Sequence, residues 1–227
     1  MKLYALHGML GLPSDWHPFF PHAECPFLFE KRPLPFHKWA PAFNESVDPS
    51  EDNILIGYSL GGRLALQALL HSPSLWCGAI LISTGLKSQP GRLDDDRAWA
   101  SKFETMPWED LMKLWNGQKI FQHTFTPFRN EGDFNRSHLA GALLEWSIGL
   151  QGDLLNQLKH LSVPLLWIYG ERDPNFLKIP PSPLSKMTLC PDAGHRLQWD
   201  NSSFFKQTAN TFIKEITHAS NCPLGTH

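Results

Sequence analysis

The sequence has no long apolar run, no basic run and no paired cysteines, and each lack closes off a class of function. Nothing approaches the roughly 20 consecutive apolar residues that a membrane helix needs. The opening MKLYALHG breaks at His7 and Gly8, too soon for a secretory segment. With a net charge of −2 and Lys31-Arg32 as the longest basic stretch, there is no basic face to offer nucleic acid or an anionic membrane. Cys25, Cys77, Cys190 and Cys222 are scattered, without a CxxC pair or a histidine at ligand spacing. Neither a metal site nor a disulfide framework is expected, and reduced cytosolic thiols are the default. Repeats and low-complexity tracts are absent as well. What remains, 227 residues at 42% hydrophobic and 19% charged, is a soluble, cytoplasmic chain long enough to bury a substantial core.

Four short runs, Leu3–Leu6, Ile54–Ile56, Ala79–Ile82 and Pro164–Tyr169, are continuously apolar, and Lys186–Cys190 is a less apolar fifth. Unbroken apolarity points to strands covered on both faces, as in parallel sheets. Helical patterns fill roughly 60–71 and 202–217, so strand and helix alternate, which predicts an α/β fold. Residues 87–160 break that rhythm with helix-like segments carrying Trp99, Trp108, Trp115 and Trp146. They read as a helical cap inserted into a core made of 1–86 and 161–227. The proline-rich stretch 23–50 reads as loop with at most one short helix, and the tail NCPLGTH as frayed.

The chemistry concentrates at NILIGYSLGGRLALQALL, residues 53–70. A buried strand becomes a helix at Gly57-Tyr58-Ser59-Leu60-Gly61, a G-x-S-x-G turn. So tight a turn needs small residues two places either side of the serine, and it lifts Oγ above the sheet at the positive end of a helix. An activated serine needs a base, and the base an orienting carboxylate, in chain order Ser, acid, His. Asp173 in GERDPN follows one strand and His195 in PDAGH follows the next, both at carboxyl ends of strands where open α/β sheets gather their ligands. Asp192 and Glu171 are rivals for the acid. The first sits in a plain D-A-G turn, and the second would need a differently twisted loop.

His7-Gly8 ends the first strand. In such a fold the backbone N–H groups of Met9 and Leu60 would form an oxyanion hole. His7 itself reads as a loop histidine packed beneath the site, since His195 fills the base role. Arg63, four residues after Ser59, shares its helical face and leans back toward the pocket mouth. The plainer alternative is an exposed surface arginine.

Together these residues resemble one branch of the α/β-hydrolase superfamily, the 2-succinyl-6-hydroxy-2,4-cyclohexadiene-1-carboxylate synthase family of menaquinone biosynthesis. The resemblance runs through HGMLG, GYSLGGRLAL and GERDPNF, and through GRLDDDRAW, LWNGQKIF and LLEWSIGLQGDL in the cap. It implies Ser59, Asp173 and His195 as a triad, Met9 and Leu60 as amide donors and Tyr58 as pocket lining. It also implies Arg63 and Arg92 as carboxylate ligands and Trp115 as substrate packing. A third carboxylate-binding arginine is open between Arg129 and Arg136, neither at clean spacing. Asn175 stands where the family has lysine, and the usual first two strands have no counterpart, which implies a smaller sheet. The implied reaction is elimination of pyruvate from a small polycarboxylate, with the serine as base and no cofactor. A serine esterase on the same fold is the rival enzyme, and a catalytically dead binding module the rival of another class.

Overall fold

The computed structural model describes residues 1–86, 91–152, 154–175 and 182–220. Asn221–His227, Phe176 of the acid segment and Lys87 at the expected start of the cap lie outside the described residues. In chain order the elements are β1 (Lys2–Leu6), α1 (Phe36–Asn44), β2 (Asn53–Tyr58), α2 (Leu60–His71) and β3 (Gly78–Ile82). Then come α3 (Arg92–Thr105), α4 (Trp108–Asn116), α5 (Arg136–Glu145), α6 (Leu154–Leu158), β4 (Leu165–Gly170), β5 (Ser185–Cys190), α7 (Leu197–Asp200) and α8 (Ser202–Ser220).

The strands form one parallel sheet in the order β1-β2-β3-β4-β5. Because each strand joins the far side of its predecessor, right-handed crossovers keep the connecting helices on one face. Helices α1 and α2 pack on each other, with α2 against β2. The opposite face is left for α8, which buries Phe205, Ala209, Phe212 and Ile213.

Alternation within the strands divides the core accordingly. Leu6, Leu55, Leu81 and Trp167 point to the α2 side, and Ala5, Ile54, Ile56, Ile80, Ile82 and Ile168 to the α8 side. Both sets are apolar, which is why the strands read as continuous rather than alternating. Each leucine or isoleucine among them contributes about 1.5–3 kcal/mol through burial. The sheet stays at five strands among the described residues. Glu24 returns beside β1 but makes only a single bridge, opposite Tyr4.

Between β3 and β4 the described residues contain helices and no strand. Helix α3 lies on α5, and Trp115 is clasped edge-on by Trp99 and Phe103, ring centroids 5.0 and 5.3 Å away. Asn135 caps α5 through Oδ1, accepting the N–H groups of Ser137 and His138 at 3.0 and 3.2 Å. No helix among the described residues is long and apolar enough to cross a membrane.

Candidate active site

Ser59 sits at φ 52°, ψ −109°, a left-handed conformation that a side chain strains to hold. The turn is fixed from both sides. Ser59 N–H donates to the Ile82 carbonyl of β3 at 2.8 Å, while its own carbonyl accepts from Arg63 N–H at 3.1 Å as α2 begins. A Cβ on Gly57 would lie 2.6 Å from Gly61 O and Gly62 Cα, and one on Gly61 would reach the His7 carbonyl at 2.5 Å and overlap that of Leu6. The glycines are therefore the condition for strand and helix to meet at this angle.

Ser59 Oγ lies 2.9 Å from His195 Nε2, and His195 Nδ1 lies 3.2 and 3.1 Å from the two oxygens of Asp173. An ionised carboxylate can only accept, so Nδ1 carries the proton and Nε2 is left to receive the serine's. Burial works against the Asp173 charge, but His195 and the Asn175 N–H, which donates to Oδ1 at 2.9 Å, outweigh it and hold the carboxyl below its ordinary range. Asp192 pairs instead with Arg172 at the surface, and Glu171 accepts from the Asp192 N–H. Both rival acids are thus away from His195. Tyr58 packs against the His195 ring, centroids 5.5 Å apart. The N–H groups of Met9 and Leu60 donate to no other group among the described residues, and both residues line the cavity beside Ser59.

His7 is placed beneath the site. Its Nδ1 donates to the Gly8 carbonyl at 2.9 Å and its Nε2 accepts the Leu28 N–H at 3.1 Å, so both nitrogens are used by the neutral ring. Burial pushes its pKa down to about 4 from an ordinary 6.5. The unfolded chain therefore binds this proton more readily, and the stability linked to His7 is complete above about pH 6.5 and lost as the pH falls toward 4. At about 1.36 kcal/mol per unit the loss amounts to about 3 kcal/mol. His7→Gln keeps an acceptor for Leu28 and cannot titrate. Its stability deficit at pH 7 should shrink by about that amount at pH 4, measured by denaturant unfolding.

A cavity of about 320 Å³ opens over Ser59, lined from both the sheet side and the inserted helices. Arg63 is half-buried and lines the cavity. It donates to the Trp146 carbonyl at 2.6 Å and to Gln151 Oε1 at 3.4 Å, and desolvation lowers its guanidinium to about 10, still charged at neutrality. Arg92 also lines the cavity, with Nε 2.9 Å from the buried carboxylate of Asp96. Trp115 and Arg129 line it too, and Arg129 is ion-paired to Asp15 at 2.6 Å. Arg136 does not reach it. Its guanidinium caps the end of α3, donating to the carbonyls of Phe103 and Met106, and pairs with Glu131. Of the two arginines that the spacing left open, the geometry takes Arg136 out.

Sequence reasoning missed Asp96, Asp15, Gln151 and above all Arg196, which follows His195 directly and lines the same cavity. The only signal for it was a cation next to the expected base. Asp200 was missed as well: it accepts from Thr124 Oγ1, Phe125 N–H and Gly194 N–H, tying the loop over the pocket to the His195 loop. No group of His, Cys, Asp and Glu side chains among the described residues could hold a metal ion.

No protein-family model matches the chain. A Photorhabdus laumondii protein named 2-succinyl-6-hydroxy-2,4-cyclohexadiene-1-carboxylate synthase is 30% identical over 92% of this chain and 84% of its own. A Haemophilus influenzae relative, provisionally given the same name, is 31% identical over 95% and 98%. Among solved structures, MenH from S. aureus matches with a TM-score of 0.84 at 22% identity, over 95% of this chain and 94% of that one. A malate-bound esterase from Thermogutta terrifontis matches at 0.70 and 16%, over 95% and 90%. These two likenesses establish the α/β-hydrolase fold.

Proposed function

Because the chain belongs to the 2-succinyl-6-hydroxy-2,4-cyclohexadiene-1-carboxylate synthase family, we propose that its serine acts as a base and not as a nucleophile. The protein is a carbon–oxygen lyase of menaquinone biosynthesis. It eliminates pyruvate from 2-succinyl-5-enolpyruvyl-6-hydroxy-3-cyclohexene-1-carboxylate and leaves 2-succinyl-6-hydroxy-2,4-cyclohexadiene-1-carboxylate. His195, oriented by Asp173, relieves Ser59 of its proton as Ser59 takes a ring proton acidified by the neighbouring succinyl ketone. The enolate oxygen rests against the N–H groups of Met9 and Leu60. Its electrons then return through the ring to form the second double bond and break the C–O bond. Enolpyruvate departs and is protonated to pyruvate, so no redox partner and no covalent adduct is required. The described residues between β3 and β4 serve as the cap that closes the cavity, Tyr58 of β2 and Trp115 of α4 supply the cavity's aromatic packing, and the enzyme works in the cytoplasm on a small-molecule substrate.

The observation that carries this reading is charge. Arg63, Arg92, Arg129 and Arg196 all line the cavity, and only Asp96 and Asp15 among the described residues pair with them. A substrate with three carboxylates matches that excess, whereas a neutral ester has no use for it. Arg63 is the cleaner probe, because removing Arg92 strands the buried Asp96 carboxylate. Arg63→Ala should lower kcat/KM for the enolpyruvyl precursor by about 10- to 150-fold, the range for one charge-assisted hydrogen bond. Hydrolysis of a small neutral ester should change only several-fold. An equal loss on both substrates would make Arg63 structural and favour an esterase.

A further inference from the structure

Two of the four cavity arginines have a carboxylate partner and two do not. Arg92 is paired with Asp96, and Arg129 with Asp15, at side-chain exposures of 9% and 13% for the latter pair. The Nε of Arg129 has no partner among the described residues, so it can add a hydrogen bond but brings no uncompensated charge. Neither Arg63 nor Arg196 forms an ion pair among the described residues, and Asp96 and Asp200 act on them only at longer range. Arg196 is 6% exposed, and the groups that accept its N–H bonds are neutral: Phe125 O at 3.0 Å, Thr126 Oγ1 at 3.4 Å, Asn116 Oδ1 at 2.6 Å and the Tyr58 hydroxyl, while the Asp200 carboxylate acts on it through space without an ion pair. Its guanidinium carbon sits over the Phe121 ring, 4.0 Å from the centroid. These contacts take at most four of its five N–H groups and hold the side chain in place without an ion pair.

A buried cation with only neutral partners is costly unless a ligand completes it. Arg63 and Arg196 stand on different walls of the cavity, one held by the Trp146 carbonyl and the other by the loop after Phe121, with Ser59 and His195 beside them. We propose that Arg196 binds one of the substrate's carboxylates, the contact that spacing had left between Arg129 and Arg136. It follows His195 directly in sequence, so the carboxylate it holds is registered against the atoms that move the proton. Arg129, already matched by Asp15, shapes the wall. The proposal rests on the lyase reading above.

The test measures binding without turnover, by titrating the enolpyruvyl precursor into the full-length Ser59→Ala protein in a calorimeter. Adding Arg196→Gln should raise Kd by about 10- to 150-fold and flatten the salt dependence of binding. Arg196→Lys, which restores the charge but not the planar fork, should recover part of the affinity. Arg129→Gln should raise Kd less than Arg196→Gln does. A merely structural Arg196 would instead lower the melting temperature and leave Kd as it was. If the Gln variant does not fold, the Lys variant decides: a several-fold weaker Kd supports the assignment, and an unchanged one overturns it. Binding to Ser59→Ala that persists in Ser59→Ala/Arg196→Gln overturns the Arg196 role alone. No binding of the precursor to Ser59→Ala would remove the substrate reading, and this role with it.

Discussion

Ser59→Ala and His195→Ala should each lower kcat for pyruvate release by roughly two to four powers of ten, the contribution of a positioned general base. The double variant should be little worse than either single. The reason is the continuous chain from Ser59 Oγ to His195 Nε2 at 2.9 Å and from Nδ1 to Asp173 at 3.1 Å. A serine hydroxyl is a feeble base alone, and an imidazole without the serine is not presented to the ring proton. Groups acting as one unit lose nearly everything with the first deletion. Pyruvate release can be followed continuously in a coupled assay. If the two losses multiplied, Ser59 and His195 would be acting separately, and the proposed base would need another assignment.

Gly61→Ala should abolish folding altogether. A methyl group there meets the carbonyl oxygens of Leu6, which β1 fixes by pairing to β2, and of His7 just past the strand end. No rotamer change relieves the overlap, so strand and helix must separate. The cost, more than about 4 kcal/mol, is exceptional for a single substitution and comparable to the roughly 5–15 kcal/mol that holds a domain folded. Gly132→Ala is the control. Nothing lies within 4 Å of its added Cβ, and its melting temperature should stay within a few degrees of the parent. Soluble yield and a calorimetric scan check both, and a cooperative melt of Gly61→Ala near that of the parent would show that the elbow can widen.

The elements that carry Ser59 were legible because local pattern and global position agree there. The apolar run over Ile54–Ile56 had no competing periodicity, and Leu60–His71 began where the glycine–serine turn required. Asp173 and His195 were legible for the same reason, each just past a strand end. The cavity's charge balance was not. Asp15 and Arg129 are 114 residues apart, and Arg63 meets Trp146 across 83. No spacing rule links such pairs; only the folding of the segment between β3 and β4 over the sheet does. Arg136 shows the converse: a cation near the right place in sequence was drawn off by the carbonyls ending α3. Arg196 went unread because a residue beside a base can point either way, and only the loop carrying Phe125 and Thr126 decides.

The left-handed backbone at Ser59 sets catalysis against durability. Holding a serine at φ 52° costs on the order of 1–3 kcal/mol, a sizeable part of a marginal total, and glycine would hold the same turn without that cost. The working chain is thus less robust than an inert relative differing at one position. Mutation alone would drift toward that relative, and so would any search for heat resistance that leaves position 59 free. Under the mechanism proposed above, selection for pyruvate release is what keeps the serine in place.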